Sequence, residues 1–322
     1  MRRHFITGWV GILLISLGCV AAADVPYPSR PITLISTSPA GGPIDVIARP
    51  IAQRLGERLG QPVIIENHAG ANGTIASVDV AKAAPDGYTL LITYLAPVAI
   101  NPAMRADLPY DSVRDFTPVT QLDSAALVLL VRPSLPIHSV ADLAVYAKTH
   151  PGKLNFGSPG PGSAGHLVSA MLHERTGIEI THIPYKGGGP LVTDLLGGHI
   201  DMASVGMSGG ISYVKQGRLR AIGVTTLKRS PLLPDIPAVA ETLPGFEVDS
   251  WYGILAPAST PAPIVHRLQQ EFAATLREPA IEDVLRINGV EPMGSTPEQF
   301  AARIKEELAR WAPVVKRAGL SN

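Results

Sequence analysis

The chain has 322 residues, enough for two domains that each bury a core of their own. Apolar residues make up 46% of the chain and charged residues 17%, and 27 basic side chains balance 27 acidic ones. With no net charge and no run of like charges, the sequence lacks an electrostatic means of gripping a polyanion. We therefore expect no nucleic-acid partner and no attachment to an anionic membrane surface.

The first 23 residues have the features of a secretory signal peptide. Met1-Arg2-Arg3 is a basic start, an apolar run extends from Trp9 to Val20, and Ala21-Ala22-Ala23 supplies small residues before the mature chain. The run is shorter than the roughly 20 apolar residues that span a bilayer. We predict an exported protein whose signal peptide, residues 1–23, is cleaved near Ala23; an uncleaved anchor is the alternative.

The single cysteine, Cys19, lies inside this signal segment. The exported chain would therefore contain no disulfide, and its stability must come from its hydrophobic cores. A lipidation site at Cys19 is the alternative, although the preceding Ser16-Leu17-Gly18 places its leucine one position from where a lipoprotein signal usually has it.

From residue 31 onward, short β-branched runs alternate with amphipathic helical stretches. This alternation predicts α/β lobes with largely parallel sheets. In the first unit, the strand Ile32–Ile35 leads through a turn to a helix that starts near Ile44 and stops at Gly60. A second series of the same kind begins near Ala126.

The chain is expected to fold as two lobes. The mostly helical residues 249–322 are too few for a third domain, so we expect them to join residues 24–124 in lobe 1, with residues 125–248 forming lobe 2. The chain then crosses between the lobes twice, near residues 121–124 and near residues 247–251. Two crossing segments form a hinge.

A first glycine-rich loop, residues 36–42, opens the helix at Pro43. Its glycines let the backbone turn and expose N–H groups, and unpaired amides at the start of a helix attract an anion. The loop is therefore a candidate carboxylate site, with a simple tight turn as the alternative. Asp45 would repel an anion, so we expect it to cap the helix and hold the loop, unless it accepts from a ligand hydroxyl or amine.

A second glycine-rich loop lies within the stretch Asn155–His166 and repeats this arrangement between a strand and a helix. Ser163 is a natural N-cap for that helix. The hydroxyls of Ser158 and Ser163 would add to the amides near Gly162 in holding an anion.

Two cofactor classes are disfavoured. Gly160, Gly162 and Gly165 match the dinucleotide pattern G-x-G-x-x-G, but the following strand, Ile178–Ile183, ends without the acidic residue that a ribose requires. The nine histidines show no metal-binding spacing. We expect no cofactor and no metal.

Catalysis is also disfavoured, although Pro161–Gly165 is one residue short of a hydrolase elbow. A nucleophilic Ser163 would need a base, and His166, three residues along the same helix, is poorly placed to serve as one. We expect His166 on the helix surface. A serine hydrolase that uses Ser163 remains an alternative.

Two further segments are expected to face the same cleft, because ligands of open α/β sheets bind beyond the carboxyl ends of strands. Tyr94 follows the strand Thr89–Thr93 and would pack on the ligand; a half-buried core aromatic is the alternative. The segment Asp201–Ser208 is taken to follow the strand His199–Ser204. We expect Asp201 to accept from the far end of the ligand, with a turn residue as the alternative.

These features together resemble the solute-binding receptors of tripartite tricarboxylate transporters, the Bug or TctC-like family. The resemblance covers the chain after the signal segment. Its landmarks here are Tyr27-Pro28-Ser29-Arg30-Pro31, Pro39-Ala40-Gly41-Gly42, Ala83-Ala84-Pro85-Asp86-Gly87-Tyr88, Pro151-Gly152-Lys153-Leu154-Asn155, Pro184-Tyr185-Lys186-Gly187 and Asp194-Leu195-Leu196-Gly197-Gly198. The resemblance implies a periplasmic, two-lobed Venus-flytrap fold, no catalysis, and delivery of a di- or tricarboxylate by a monomeric receptor to a two-component membrane permease. A sensor that reports the ligand to a membrane kinase is the alternative.

By position, the resemblance assigns the family's two carboxylate-holding loops and its selectivity positions. The residues carried over are Ala40, Gly41 and Gly42 on the first loop, Ser158, Gly162 and Ser163 on the second, and Tyr94 and Asp201 at strand ends. Ser38, Ile44 and Asp45, which border the glycines of the first loop, complete the predicted ligand-binding set. The chain departs from the family pattern at Ser36–Ser38 and Pro43–Ile44, which leaves the ligand open. Apolar Ile44 and Tyr94 suggest a longer or aromatic dicarboxylate, such as adipate or terephthalate.

Overall fold

The structure is a computed structural model that describes residues 27–317 and Gly319. The predicted signal peptide, its cleavage point and Cys19 lie outside the described residues. Between Tyr27 and Arg317, no helix is both long and apolar enough to cross a membrane.

The described chain contains twelve strands and eleven α-helices. The strands are β1 (Ile32–Ser36), β2 (Val63–Asn67), β3 (Thr89–Tyr94), β4 (Phe116–Gln121), β5 (Asp123–Val131), β6 (Asn155–Ser158), β7 (Thr181–Pro184), β8 (Met202–Gly206), β9 (Arg220–Val224), β10 (Asp249–Ser250), β11 (Tyr252–Pro257) and β12 (Val290–Pro292). The helices are α1 (Pro43–Leu59), α2 (Thr74–Ala81), α3 (Asn101–Met104), α4 (Val140–Thr149), α5 (Ala164–Thr176), α6 (Gly188–Gly197), α7 (Met207–Lys215), α8 (Val239–Thr242), α9 (Ala262–Leu276), α10 (Pro279–Ile287) and α11 (Pro297–Arg317). A 3-10 turn at Ala71–Gly73 and a π-helical turn at Ala96–Ile100 complete the set.

Several helix ends follow directly from local sequence. The helix α1 starts at Pro43, whose missing N–H costs nothing there, and ends at Gly60, which is left-handed with φ 70°. The hydroxyl of Ser139 accepts a hydrogen bond from the amide of Asp142 and so caps α4.

Each lobe is built on its own sheet. The sheet of lobe 1 has the strand order β2-β1-β3-β11-β4, and the sheet of lobe 2 contains β10-β5-β8-β6-β7, with β9 and β12 also paired to β5. Only the neighbours β1–β2, β1–β3, β6–β7 and β6–β8 are parallel, whereas β5 and β11 run antiparallel to their partners. The expectation of largely parallel sheets is therefore wrong: the sheets are mixed because the returning strands enter them from the opposite end.

The chain passes between the two sheets at two crossing segments. It leaves the first sheet between β4 and β5, at Leu122, and returns to it between β10 and β11, at Trp251. Trp251 is fully buried and packs edge-on against Phe300 of α11, with ring centroids 5.4 Å apart. The C-terminal strand β12 pairs with the start of β5, so the second sheet also takes in a strand from residues 249–322.

Candidate functional site

The parallel strands of each lobe end along one edge of their sheet, and both predicted loops leave from those edges. In lobe 1, β1 ends at Ser36, β2 at Asn67 and β3 at Tyr94. In lobe 2, β6 ends at Ser158 and β7 at Pro184. Ligands of α/β sheets bind beyond such carboxyl ends. The two edges are therefore the place to look for a site.

The 3-10 turn Ala71–Gly73 brings the two loops into one site. A Cβ added to Gly73 would lie 3.1 Å from the Cβ of Thr37, at the start of the first loop. A Cβ added to Gly162, in the second loop, would lie 3.4 Å from Nδ2 of Asn72. Because one three-residue turn contacts both loops, residues of the two lobes meet across a narrow gap.

Asp45 braces the first loop from within α1. Its carboxylate, only 2% exposed, accepts from the amide of Gly41 at 2.9 Å, from Nδ2 of Asn67 at 2.7 Å and from the guanidinium of Arg49 at 2.7 Å. Asn67 also donates to the carbonyl of Ser38 at 3.0 Å. Burial alone would raise the pKa of Asp45, but these donors outweigh burial and hold the pKa below its ordinary value. Asp45 is thus an ionised anchor that holds the loop, as expected, but it does not cap α1, whose N-cap Gly42 has no side-chain cap hydrogen bond.

The first loop offers backbone amides to a ligand. Gly42 donates its amide to the carbonyl of Pro39 at 3.0 Å and closes the turn. Across residues 27–317, no acceptor is found for the amides of Ala40, Ile44 and Asp45 or for the hydroxyl of Ser38. The amides of Ile44 and Asp45 belong to the first turn of α1, where the helix dipole adds positive potential.

Ile44 does not present its side chain to this gap. The side chain is 2% exposed and packs in the lobe 1 core with Ile47 and Leu34. The prediction that Ile44 contacts the ligand through an apolar surface is therefore wrong, because position N2 of α1 points this side chain inward. Its amide, by contrast, has no acceptor within the described chain.

The second loop uses its own hydroxyls to hold its shape. Ser163 donates to the carbonyl of Gly160 at 2.7 Å and accepts from the amide of His166 at 3.3 Å, so it is the N-cap that the sequence predicts. Ser158 is fully buried and its hydroxyl lies 3.2 Å from the amide of Gly160. The amides of Ala164 and Gly165, in the first turn of α5, have no acceptor in the described chain.

Two stacked histidines lie beneath the second loop. His166 is 7% exposed, and its ring stacks on that of His182 with centroids 3.8 Å apart. Nδ1 of His166 accepts from the amide of Gly162 at 3.1 Å, and Nε2 of His182 lies 2.6 Å from Oγ of Ser158. The prediction of a surface His166 is wrong. His182 gave no signal in the sequence, since it is brought here by the pairing of β7 with β6.

Tyr94 lies at the gap and is tied to the 3-10 turn. Its hydroxyl donates to Oδ1 of Asn72 at 2.7 Å, and Nδ2 of Asn72 donates to Oδ1 of Asn101 at 2.8 Å. Burial raises the pKa of Tyr94 to about 12, so the phenol stays protonated and acts as a donor. Asn72 and Asn101 were not predicted. The only local signal was the Asn72-Gly73 dipeptide, typical of a turn.

Asp201 does not belong to this set of residues. It precedes β8 and pairs with Asn155, the first residue of β6, so it lies at the opposite edge of the sheet from Ser158. Three residues of strand separate the two edges by about 10 Å. Asp201 is 7% exposed, and its carboxylate accepts from Nε of Arg132 at 2.8 Å and from the amide of Asn155 at 3.0 Å. The prediction of Asp201 as a ligand contact is wrong, because β8 starts at Met202 and Asp201 therefore precedes the strand instead of following it.

The serine-hydrolase alternative has no catalytic geometry. The hydroxyl of Ser163 donates to the carbonyl of Gly160 and accepts from the amide of His166. Nδ1 of His166 already accepts from the amide of Gly162. Ser158 does touch a histidine, but it is fully buried. Among residues 27–317, no group of three or more His, Cys, Asp or Glu side chains is placed to hold a metal ion.

Two α/β lobes, two crossing segments and a pair of amide-presenting loops define a two-lobed binding protein. A family model described as the tripartite tricarboxylate transporter family receptor matches residues 47–320. Protein BugT of Bordetella pertussis is 37% identical over 314 residues, covering 96% of this chain and 96% of that protein. The chain belongs to this family and is a periplasmic solute-binding receptor of the TctC/Bug type rather than an enzyme.

Solved structures of this family have the same fold. R. palustris Rpa4515 with adipate is 39% identical, with a TM-score of 0.82 over 91% of this chain and 98% of that one. MatC from Rhodopseudomonas palustris with bound malate is 33% identical, with a TM-score of 0.78 over 90% of this chain and all of that one. Each of these relatives is described with a small carboxylate.

Proposed function

We propose that the protein captures a small aliphatic dicarboxylate and that both loops clamp one of its carboxylates. The amides of Ala40 and Ile44 on the first loop, and of Ala164 and Gly165 on the second, find no acceptor in the described chain. The helices α1 and α5 both begin here, and each helix start carries a partial positive charge. Two helix N-termini at one gap form an anion site, and this pairing is the observation that carries the proposal.

The remainder of the ligand is proposed to lie against Tyr94 and Asn72. The Tyr94 ring is half-buried at the end of β3, and Asn72 lies between the lobes. The malate and adipate of the related structures support an aliphatic dicarboxylate of four to six carbons. An aromatic dicarboxylate has less support, since Ile44 is in the core and Tyr94 is the one aromatic ring assigned to the site. We further propose a monomer, cleaved near Ala23, that delivers its ligand to a two-component permease.

A thermal unfolding screen tests the proposal on purified, ligand-free protein. The ligands are adipate, malate, citrate and terephthalate, and adipamide serves as the uncharged counterpart of adipate. A ligand present at 100 times its Kd raises the free energy of unfolding by about 2.7 kcal/mol. We expect adipate or malate to produce such a rise and adipamide to produce none.

Two results of this screen contradict the anion clamp, and a third contradicts the aliphatic ligand. A flat response to every carboxylate would exclude an anion clamp. An equal response to adipate and adipamide would show that the charge is not what the loops recognise. A response to terephthalate larger than that to adipate would replace the aliphatic ligand by an aromatic one and leave the clamp standing.

A further inference from the structure

We propose that His166 and His182 are positioning residues: together they hold the second loop in the form that binds the ligand, and so set its affinity. The inference rests on the proposed function of that loop. Neither ring is assigned a contact with the ligand. Each acts through a backbone or hydroxyl group of the loop.

His166 fixes the end of the loop next to the helix. Gly162 has φ +73°, a left-handed conformation that glycine adopts without strain, and its amide is held by Nδ1 of His166 at 3.1 Å. The free amides of Ala164 and Gly165 follow two and three residues later. Fixing the peptide unit at Gly162 therefore fixes the direction from which α5 presents them.

His182 fixes the start of the loop through Ser158. Nε2 of His182 lies 2.6 Å from Oγ of Ser158, and the same oxygen lies 3.2 Å from the amide of Gly160. Because the two rings stack at 3.8 Å with an interplanar angle of 6°, neither can turn without moving the other. The stacked pair thus ties both ends of the loop to one rigid unit.

The surroundings keep both rings uncharged. No described carboxylate accepts from either ring. His166 lines a cavity of about 450 Å³ between α5 and α11, and the charged and titratable side chains that share this lining are His173, Glu174 and Arg317. Glu174 pairs with Arg317 at 2.7 Å, and His173 contacts the carbonyl of Ile178. Glu174, the carboxylate that lines this cavity, is therefore already neutralised by Arg317.

A neutral His166 is required because Nδ1 must accept the Gly162 hydrogen bond. Protonation there would place two N–H donors against each other. Burial, with a smaller contribution from neighbouring His182, lowers the pKa of His166 from 6.5 to about 4. The folded protein therefore binds fewer protons than the unfolded chain, so the stability from this group is complete above pH 6.5 and is lost as the pH falls through 4. We expect the loop to keep its binding form at neutral pH and to release near pH 4.

The ligand-free protein tests the tautomer directly. Two-bond nitrogen–proton NMR correlations of the imidazoles distinguish a protonated ring nitrogen from one that accepts a hydrogen bond. We expect Nδ1 of His166 to remain unprotonated at pH 7 and to titrate below pH 5, with the Gly162 amide resonance shifting at the same midpoint. A midpoint near 6.5, or a protonated Nδ1 at pH 7, would overturn the proposal.

Adipate affinity at pH 7.5 tests the positioning role. His166→Ala removes the acceptor and is expected to weaken adipate binding about tenfold, the effect of one hydrogen bond. His166→Asn places an amide oxygen near the position of Nδ1 and is expected to recover most of that loss. His182→Gln, compared with His182→Ala, makes the same test for Ser158. His150→Asn removes an exposed histidine of the same lobe and serves as the control.

The outcomes separate the two proposals. If wild-type protein binds no dicarboxylate, the proposed function fails, and the NMR titration still decides how the loop is held. If His166→Ala and His166→Asn bind adipate equally, the acceptor at Nδ1 has no positioning role. If the alanine variant does not fold, the comparison of wild type with His166→Asn at pH 7.5 and the titration of wild type remain decisive.

Discussion

The first loop is braced by a charged side chain, and the second by two neutral rings. Asp45, tied to Arg49 and Asn67, anchors the amide of Gly41. His166, stacked on its partner ring, anchors an amide of the second loop. In both loops the brace comes from the first turn of the helix that the loop opens. The shared geometry shows that each helix start is held in place by its own side chain, leaving other amides free.

The difference between the braces matters because the site is proposed to receive an anion. A carboxylate beside a carboxylate ligand is unfavourable unless a cation balances it, and Arg49 supplies that balance for Asp45. The imidazoles need no balance while they are neutral. The two braces also differ in their response to acid. The stability that Asp45 contributes is lost only as the pH falls below 3.8, because its pKa is lowered from that value. The stability that His166 contributes is lost as the pH falls from 6.5 to about 4.

Removal of the charged brace is expected to have the largest effect. Asp45→Ala leaves the amide of Gly41 without its acceptor and the Asn67 side chain with only the carbonyl of Ser38, and a buried donor left unpaired costs about 1–3 kcal/mol. We expect a loss of about 2–3 kcal/mol in the free energy of unfolding, measured by denaturant titration. Adipate binding, measured by calorimetry, is expected to weaken by at least about tenfold, because the loop loses its fixed form.

Asp45→Asn is the matched control, since it keeps one acceptor oxygen and removes the charge. We expect it to lose about half the stability that the alanine variant loses. If Asp45→Asn binds adipate more tightly than wild type, the charge of Asp45 opposes the ligand, and Arg49 does not balance that charge.

Alanine at matched glycines compares the loops more sharply. Gly41 and Gly162 have nearly the same left-handed φ, 74° and 73°, but a Cβ on Gly41 meets nothing within 4 Å, whereas one on Gly162 lies 3.0 Å from Sδ of Met104 across the gap. Both variants lose about 1–2 kcal/mol of stability from backbone strain. Gly162→Ala is expected to weaken adipate binding several-fold more than Gly41→Ala, because its methyl group also opposes approach of the lobes.

Gly60→Ala sets the baseline for strain, since Gly60 ends α1 with φ 70° and equally open surroundings. It is expected to lose as much stability as Gly41→Ala without a change in adipate affinity. Equal adipate affinities for the Gly41 and Gly162 variants would mean that the contact with Met104 plays no part in binding.

The sequence was sufficient to predict the two loops because their signals are local. Glycines at strand-to-helix turns, Pro43 at a first helical position and Ser163 as an N-cap act within a few residues. The expectation of two crossing segments rests on the order of strand-like and helical runs. For such features, chain neighbours are also neighbours in space.

Features that depend on register or burial could not be predicted in this way. His182 reaches the second loop only through the pairing of β7 with β6, and Asn72 through the closeness of the lobes. Ile44 was misassigned because helical spacing shows which residues share a face of α1 but not whether that face meets the core or the gap. Asp201 was misassigned by a shift of three residues in the start of β8, which moved it to the other edge.

Asp201→Asn is expected to have the smallest effect on binding, and it tests that reassignment. The aspartate is as buried as a site residue, but its partners are Arg132 and the amide of Asn155 at the far edge of the sheet. We expect a loss of about 1 kcal/mol in the free energy of unfolding, because one of two accepted hydrogen bonds is lost. Adipate affinity is expected to change by less than about twofold, which is under 0.5 kcal/mol. A loss of affinity as large as that of Asp45→Ala, at preserved stability, would place Asp201 back in the site and show that the lobe 2 sheet presents its other edge to the ligand.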